Sequence, residues 1–166
     1  MDTKKLATLS VLVAAAMILS YIESLIPPLV AVPGVKLGLS NIATVFALYT
    51  LGAPTAVTVS LVRVLLSALL VGNFVSLIYS LFGAAFALAF MVLLQRLSVF
   101  SSVGVSVAGG VAHNAGQIIA ACIVMESAAI SLYLPPLVIS GTLSGVVIGT
   151  VAGVLVKRME KILRKP

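Results

Sequence analysis

From Leu6 to Ile26 the only charged residue is Glu23, and apolar runs of the same kind recur down the chain. A helix needs roughly 20 predominantly apolar residues to cross about 30 Å of hydrocarbon. In lipid every backbone N–H and C=O must be bonded inside the protein, so runs of this length without strand alternation form helices. Composition points the same way: 61% of the 166 residues are hydrophobic and 8% charged, whereas soluble domains carry about a quarter charged residues. The chain is therefore expected to be an all-α, polytopic membrane protein, a six-transmembrane-helix bundle forming one integral membrane domain over residues 1–166.

The six spans are read as Leu6 to Ile26, Leu39 to Leu51, Ala53 to Val71, Phe74 to Leu94, Val103 to Met125 and Ile130 to Val156. The second is too short to cross upright. It follows the longest non-helical stretch, PPLVAVPGVKLGLSN (Pro27 to Asn41), and Ser40 is placed to cap it. The first run continues to Ile26 with no polar cleavage region, so it is expected to persist as a helix rather than act as a cleaved signal. The string PPLV occurs twice, at Pro27 to Val30 and at Pro135 to Val138; we read it as helix-entry punctuation.

Lys4 and Lys5 precede the first span, Arg96 lies between the fourth and fifth, and Lys157, Arg158, Lys161, Arg164 and Lys165 follow the sixth. With six spans these residues share one side, which the positive-inside rule makes cytoplasmic, with both termini there. The net charge of +6 is thus an orientation signal, and nucleic acid is not an expected partner. The expected location is a prokaryotic cytoplasmic membrane. Lys36 and Arg63 break the pattern. Lys36 lies in the outer segment, and Arg63 sits mid-span in TVSLVRVLLSALL, where a charge costs at least about 2.5 kcal/mol to insert.

Small residues recur at i+4 spacing in two spans: Gly141, Gly145, Gly149 and Gly153 in the sixth, and Gly104, Ala108, Ala112, Gly116 and Ala120 in the fifth. Such ridges let helix backbones approach closely, which matters in lipid because apolar side chains gain little by leaving it. Two readings stay open, packing of the ridges inside the bundle and docking of another subunit. Ser10 and Ala14 make a weaker version in the first span.

Polar residues at depth mark the candidate site. VAHNAGQ puts His113 and Gln117 one helical turn apart with Asn114 beside them, and Arg63 at similar depth would complete a cavity. The alternative is an interhelical hydrogen-bond network among the same residues. Lys36, Ser40 and Asn41 stand at the outer mouth, where the N-terminus of the short second helix favours an anion. Tyr79, with Asn73 and Ser76, begins the fourth span on that side, Glu23 is in reach of Lys36 or Arg63, and Glu126 reads as a solvated turn residue.

Several chemistries are excluded by what the chain lacks. Its only aspartate is Asp2 and its glutamates are scattered, so an aspartate-rich magnesium site for a prenyl diphosphate cannot be assembled. No glycine-rich loop ends in Gly-Lys-Ser/Thr, which removes self-powered ATP hydrolysis. One histidine and one cysteine, Cys122, cannot build bis-histidine haem, an iron–sulfur cluster or a zinc cage. Neither a catalytic residue nor a cofactor is expected.

The runs VPGVKLGLSNIATVFALYTLG, LVRVLLSALLVGNFVSLIYSLFGA and GVSVAGGVAHNAGQ, with the late YLPPLVISG, closely resemble the Gx transporter family, labelled heptaprenyl diphosphate synthase component I. The resemblance covers nearly the whole chain. Members look like the substrate-binding S components of energy-coupling-factor transporters. That implies six helices, a pocket near the outer face, and an outer loop, here residues 27–41, that closes over the ligand as a lid. It also implies uptake powered by a shared transmembrane subunit and two cytoplasmic ATPases. The family's motif positions fall on Lys36, Gly38, Ser40, Asn41, Arg63, His113, Asn114 and Gln117. The Ala-x-x-x-Ala pair by which S components touch the shared subunit has its nearest match in Ser10 and Ala14. The function so implied is capture of a small, carboxylate- or phosphate-bearing organic molecule. The alternatives are a non-catalytic accessory subunit of a polyprenyl diphosphate, quinone or flavin redox complex, and a proton-linked carrier using His113 and Glu23.

Overall fold

The computed structural model of the protein describes residues 3–25, 38–70 and 74–163. Six α-helices follow in order: α1 (Thr3–Leu25), α2 (Asn41–Thr50), α3 (Ala53–Leu70), α4 (Phe74–Arg96), α5 (Ser102–Val124) and α6 (Leu134–Leu163), with a 3-10 helix, Ala128–Tyr133, before the last. Among the described residues there is no strand. Five of the helices are long and apolar enough to cross a membrane, which makes this a multi-pass membrane protein. The exception is α2, whose 10 residues reach only about 15 Å.

The helix ends differ from the sequence reading at both ends of the bundle. The second helix starts at Asn41 rather than Leu39. Gly38, Leu39 and Ser40 form a turn in which Asn41 N–H donates to the Gly38 carbonyl (2.8 Å) and Ile42 N–H to that of Leu39 (3.1 Å). The sixth helix starts at Leu134 rather than Ile130, because Pro135 and Pro136 have no N–H to give and fit only the first turn of an α-helix. It then runs past Val156 to Leu163. Lys157 to Leu163 are good helix formers, so the charges there mark where the span leaves the hydrocarbon and not where the helix stops.

Close backbone approach holds α4, α5 and α6 together. A Cβ placed on Gly145 would lie 2.5 Å from Val107 Cα, one on Gly149 2.6 Å from Val103 Cα, one on Gly141 2.8 Å from the Gly110 carbonyl oxygen, and one on Gly153 2.6 Å from Ser102 Oγ. The α6 glycine ridge is therefore an internal contact with α5, antiparallel to it. It does not meet the Gly104–Ala120 ridge that the spacing offered as its mate. Its counterpart is the row Ser102, Ser106, Gly110 and Asn114, also at i+4 spacing, together with the backbone of Val103 and Val107. The other α5 ridge turns to α4, where Gly116 abuts the Phe82 carbonyl. Hydrogen bonds fasten the seam: Ser102 Oγ donates to the Gly149 carbonyl (3.2 Å) and Asn114 Nδ2 to that of Leu137 (2.6 Å).

The first half is built otherwise. Ala16 is the one buried residue of α1 among those described. α1 is joined to α3 by a 3.5 Å contact between the Ser20 and Ser67 hydroxyls and by Ser67 Oγ donating to Met17 Sδ (3.6 Å). α2 lies between α1, α3 and α6 and carries two fully buried aliphatic residues, Val45 and Leu48. Ser10 and Ala14 both face outward, and Ser10 Oγ bonds back to the Leu6 carbonyl (3.0 Å).

Candidate functional site

Arg63 is the eleventh of the 18 residues of α3, about 15 Å along that helix. A guanidinium at such depth must be bonded, because unpaired charge in hydrocarbon is costly. Its Nη1 donates to Ser40 Oγ at 2.8 Å. This changes the role read for Ser40. The residue holds the N-cap position of α2, but its side chain makes no capping bond; the first amides of α2 are satisfied by the turn carbonyls, which leaves the hydroxyl for Arg63. Ser40, next to Asn41, thus meets the end of the Arg63 side chain.

Two further groups complete the cluster. Glu23, in the last turn of α1, accepts a hydrogen bond from the Gly38 amide through Oε1 and acts electrostatically on Arg63. Gly38 makes that bond possible. Its φ of +70° is a left-handed conformation that costs an L-residue roughly 1–2 kcal/mol, and an added Cβ would press on Ile148 Cδ1 of α6 at 3.3 Å. The turn before α2 is thus tied to α1 by a carboxylate, to α3 by an arginine and to α6 by contact.

The cluster is not closed on itself. Arg63 Nε and Thr44 Oγ1 are buried and have no hydrogen-bond partner among the described residues. Thr44, 1% exposed, lies one turn beyond Ser40 on the same face of α2. Buried polar atoms in native proteins are nearly always bonded, so such exceptions need an explanation. An unbonded arginine N–H and an unbonded hydroxyl are each suited to donate to an oxyanion.

The remaining candidates gather elsewhere. His113 and Gln117 pack over Gly83 of α4, where an added Cβ would lie 2.8 Å from the imidazole and 2.9 Å from Gln117 Cγ. Tyr79, partly buried, is one turn from Gly83 on the same face. Asn114 points instead to α6 and its bond with Leu137. Described contacts thus unite Arg63 with Ser40 and, separately, His113 with Gln117 and the Tyr79 face. Lys36, Asn73 and residues 27–37 of the expected lid lie outside the described residues. Glu126 is exposed in a turn with φ +50°. Thr44 is a residue the sequence reading does not single out, although SNIAT carries its hydroxyl at i+4 from that of Ser40. Glu23 was noticed only as a possible ion pair; its bond to a backbone amide has no sequence signal.

The model of one family, heptaprenyl diphosphate synthase component I, matches residues 12–155. The chain belongs to this family. No curated protein and no solved structure matches it. The match reaches all six helices, α1 and α6 in part, and includes the Gly38–Ser40 turn, Arg63 and the Asn114 seam. Among the described residues of this family member there is no group of three or more His, Cys, Asp or Glu that could hold a metal ion.

Proposed function

We propose that the chain is a membrane-embedded substrate-binding subunit for uptake of a small organic anion, in the manner of an S component. Its place would be the prokaryotic cytoplasmic membrane with both termini inside, and partner ATPases and a shared transmembrane subunit would power the cycle. One observation carries the reading: Arg63, bonded to Ser40 through Nη1, keeps a buried Nε without a hydrogen-bond partner among the described residues, and so does the buried hydroxyl of Thr44, one helical turn from Ser40. A carboxylate or phosphate oxygen would accept from both, with Ser40 completing the set. Glu23 balances the guanidinium when the site is unfilled. His113, Gln117 and Tyr79 would orient the rest of the molecule from α4 and α5, while Asn114 serves as a brace. Lys36 and the loop over residues 27–41 would form the lid. Catalysis is not part of the role.

Native mass spectrometry of the detergent-purified chain tests this. The expected result is a retained small molecule that Arg63→Ala and Thr44→Val release. A wild-type chain that carries no such molecule, or equal retention by Arg63→Ala and His113→Ala, refutes the pocket. The family description favours a second reading, a non-catalytic membrane subunit of a polyprenyl diphosphate synthase or of a related quinone or flavin redox complex. That reading expects stable co-purification with the catalytic component and no retained ligand.

A further inference from the structure

Arg63 shares the turn before α2 with an acid. The Glu23 carboxylate holds the Gly38 amide at one end of that turn and the Arg63 guanidinium holds the Ser40 hydroxyl at the other; two residues of chain span at most about 7 Å. The two charges act on each other, yet among the bonds described neither is closed on the other. The acid takes an amide, the base donates to a hydroxyl, and Arg63 Nε keeps no partner among the described residues. Every other charged residue of the described helices lies in the first three residues of α1, at the end of α4 or from Lys157 onward in α6. The described helices therefore bring one positive and one negative charge to this turn, and the two sum to zero.

A bare carboxylate or phosphate bound there leaves net negative charge away from water, where an uncompensated charge is costly. A molecule that brings a carboxylate and a cationic nitrogen together leaves the sum at zero and gives each protein charge an opposite one. Its carboxylate accepts from Arg63 Nε and the Thr44 hydroxyl. Its nitrogen donates to Glu23, whose carboxylate has a second oxygen beyond the one that takes the Gly38 amide. Building on the reading of Arg63 as the centre of a ligand site, we infer that the captured molecule is a zwitterion of the α-amino-acid type. One carbon separates its charged groups, as suits two protein charges that serve one short turn. Glu23 is then the residue that separates amino acids from simple organic acids.

The test measures Tm of the full chain in detergent with each proteinogenic amino acid in turn. Each is compared with the acid left when its amino group is removed and with the amine left when its carboxyl group is removed. At least one amino acid should raise Tm, with affinity read from the concentration dependence of the shift, while its acid and its amine at the same concentration should not. Arg63→Ala should abolish the rise. Glu23→Gln keeps an acceptor for the Gly38 amide but removes the charge; it should weaken the amino acid about tenfold and make the deaminated acid its equal. A wild type that binds the deaminated acid as tightly as the amino acid overturns the zwitterion, and if Arg63→Ala abolishes both, the anion site still stands. An unchanged preference in Glu23→Gln also overturns the inference. If none of these compounds shifts Tm the inference falls, and the native mass spectrum of the purified chain then decides the anion site separately.

Discussion

The two halves of the bundle solve the same problem in opposite ways. α4, α5 and α6 are joined backbone to backbone over glycines, with spaces too small for a methyl group at Gly110, Gly145 and Gly149. α1, α2 and α3 pack apolar side chains around Val45, Leu48 and Val59 and add polar contacts to them: Ser20 with Ser67, Arg63 with Ser40, and Glu23 with the Gly38 amide. Lipid tails are as apolar as leucine, so helices associate by close van der Waals packing or by hydrogen bonds. Close packing allows one arrangement, because nothing fits if the backbones slide. Hydrogen bonds between side chains can be exchanged for bonds to another molecule. The difference therefore assigns the scaffold to the second half and adjustability to the first, where Arg63 lies.

The comparison can be broken most severely at Gly145. Gly145→Val puts a side chain into the α5 backbone, and a loss of about 3 kcal/mol or more is expected, seen as a collapse of Tm in detergent. A tolerated valine would mean that the glycine seam is not a scaffold. Next comes Arg63→Ala. It should abolish retention of the small molecule while leaving hydrogen exchange of α5 and α6 as slow as in the wild type; protection lost throughout the chain would erase the distinction between the halves. Gly38→Ala forces a left-handed conformation on an L-residue and should cost about 1–2 kcal/mol, with faster hydrogen exchange confined to α1 and α2. Smaller still is Asn114→Ala, expected at about 0.6 kcal/mol, the usual size of an interhelical hydrogen bond in a membrane, with ligand retention intact. Ala14→Leu, on the exposed face of α1, should alter stability by less than about 0.5 kcal/mol, so any loss of a co-purifying transmembrane subunit would report docking alone.

What the sequence disclosed follows the same division. Long apolar runs located α1, α3, α4 and α5 to within a few residues, because lipid leaves a hydrophobic run of that length one structure. Glycine spacing disclosed a flat face on α6 but not its mate, since a row such as Ser102, Ser106, Gly110 and Asn114 mixes residue types and hides its flatness. Proline chemistry placed the start of α6 better than hydropathy did. Arg63 stood out as a charge that needed partners. Its real partner set did not, because Ser40 had an equally good local use as a cap, and only the turn carbonyls of Gly38 and Leu39 release it from that duty. A backbone amide as the partner of Glu23 leaves no trace in residue type.

The short length of α2 sets how far a captured molecule would still have to travel. Held at the level where α2 begins, beside Arg63, it would have only the roughly 15 Å of α2 between it and the side at which that helix ends. Release to that side would require displacing this one short helix, which is fastened to α3 by a single arginine hydrogen bond among the bonds described, and the glycine seam of α5 and α6 would never have to open.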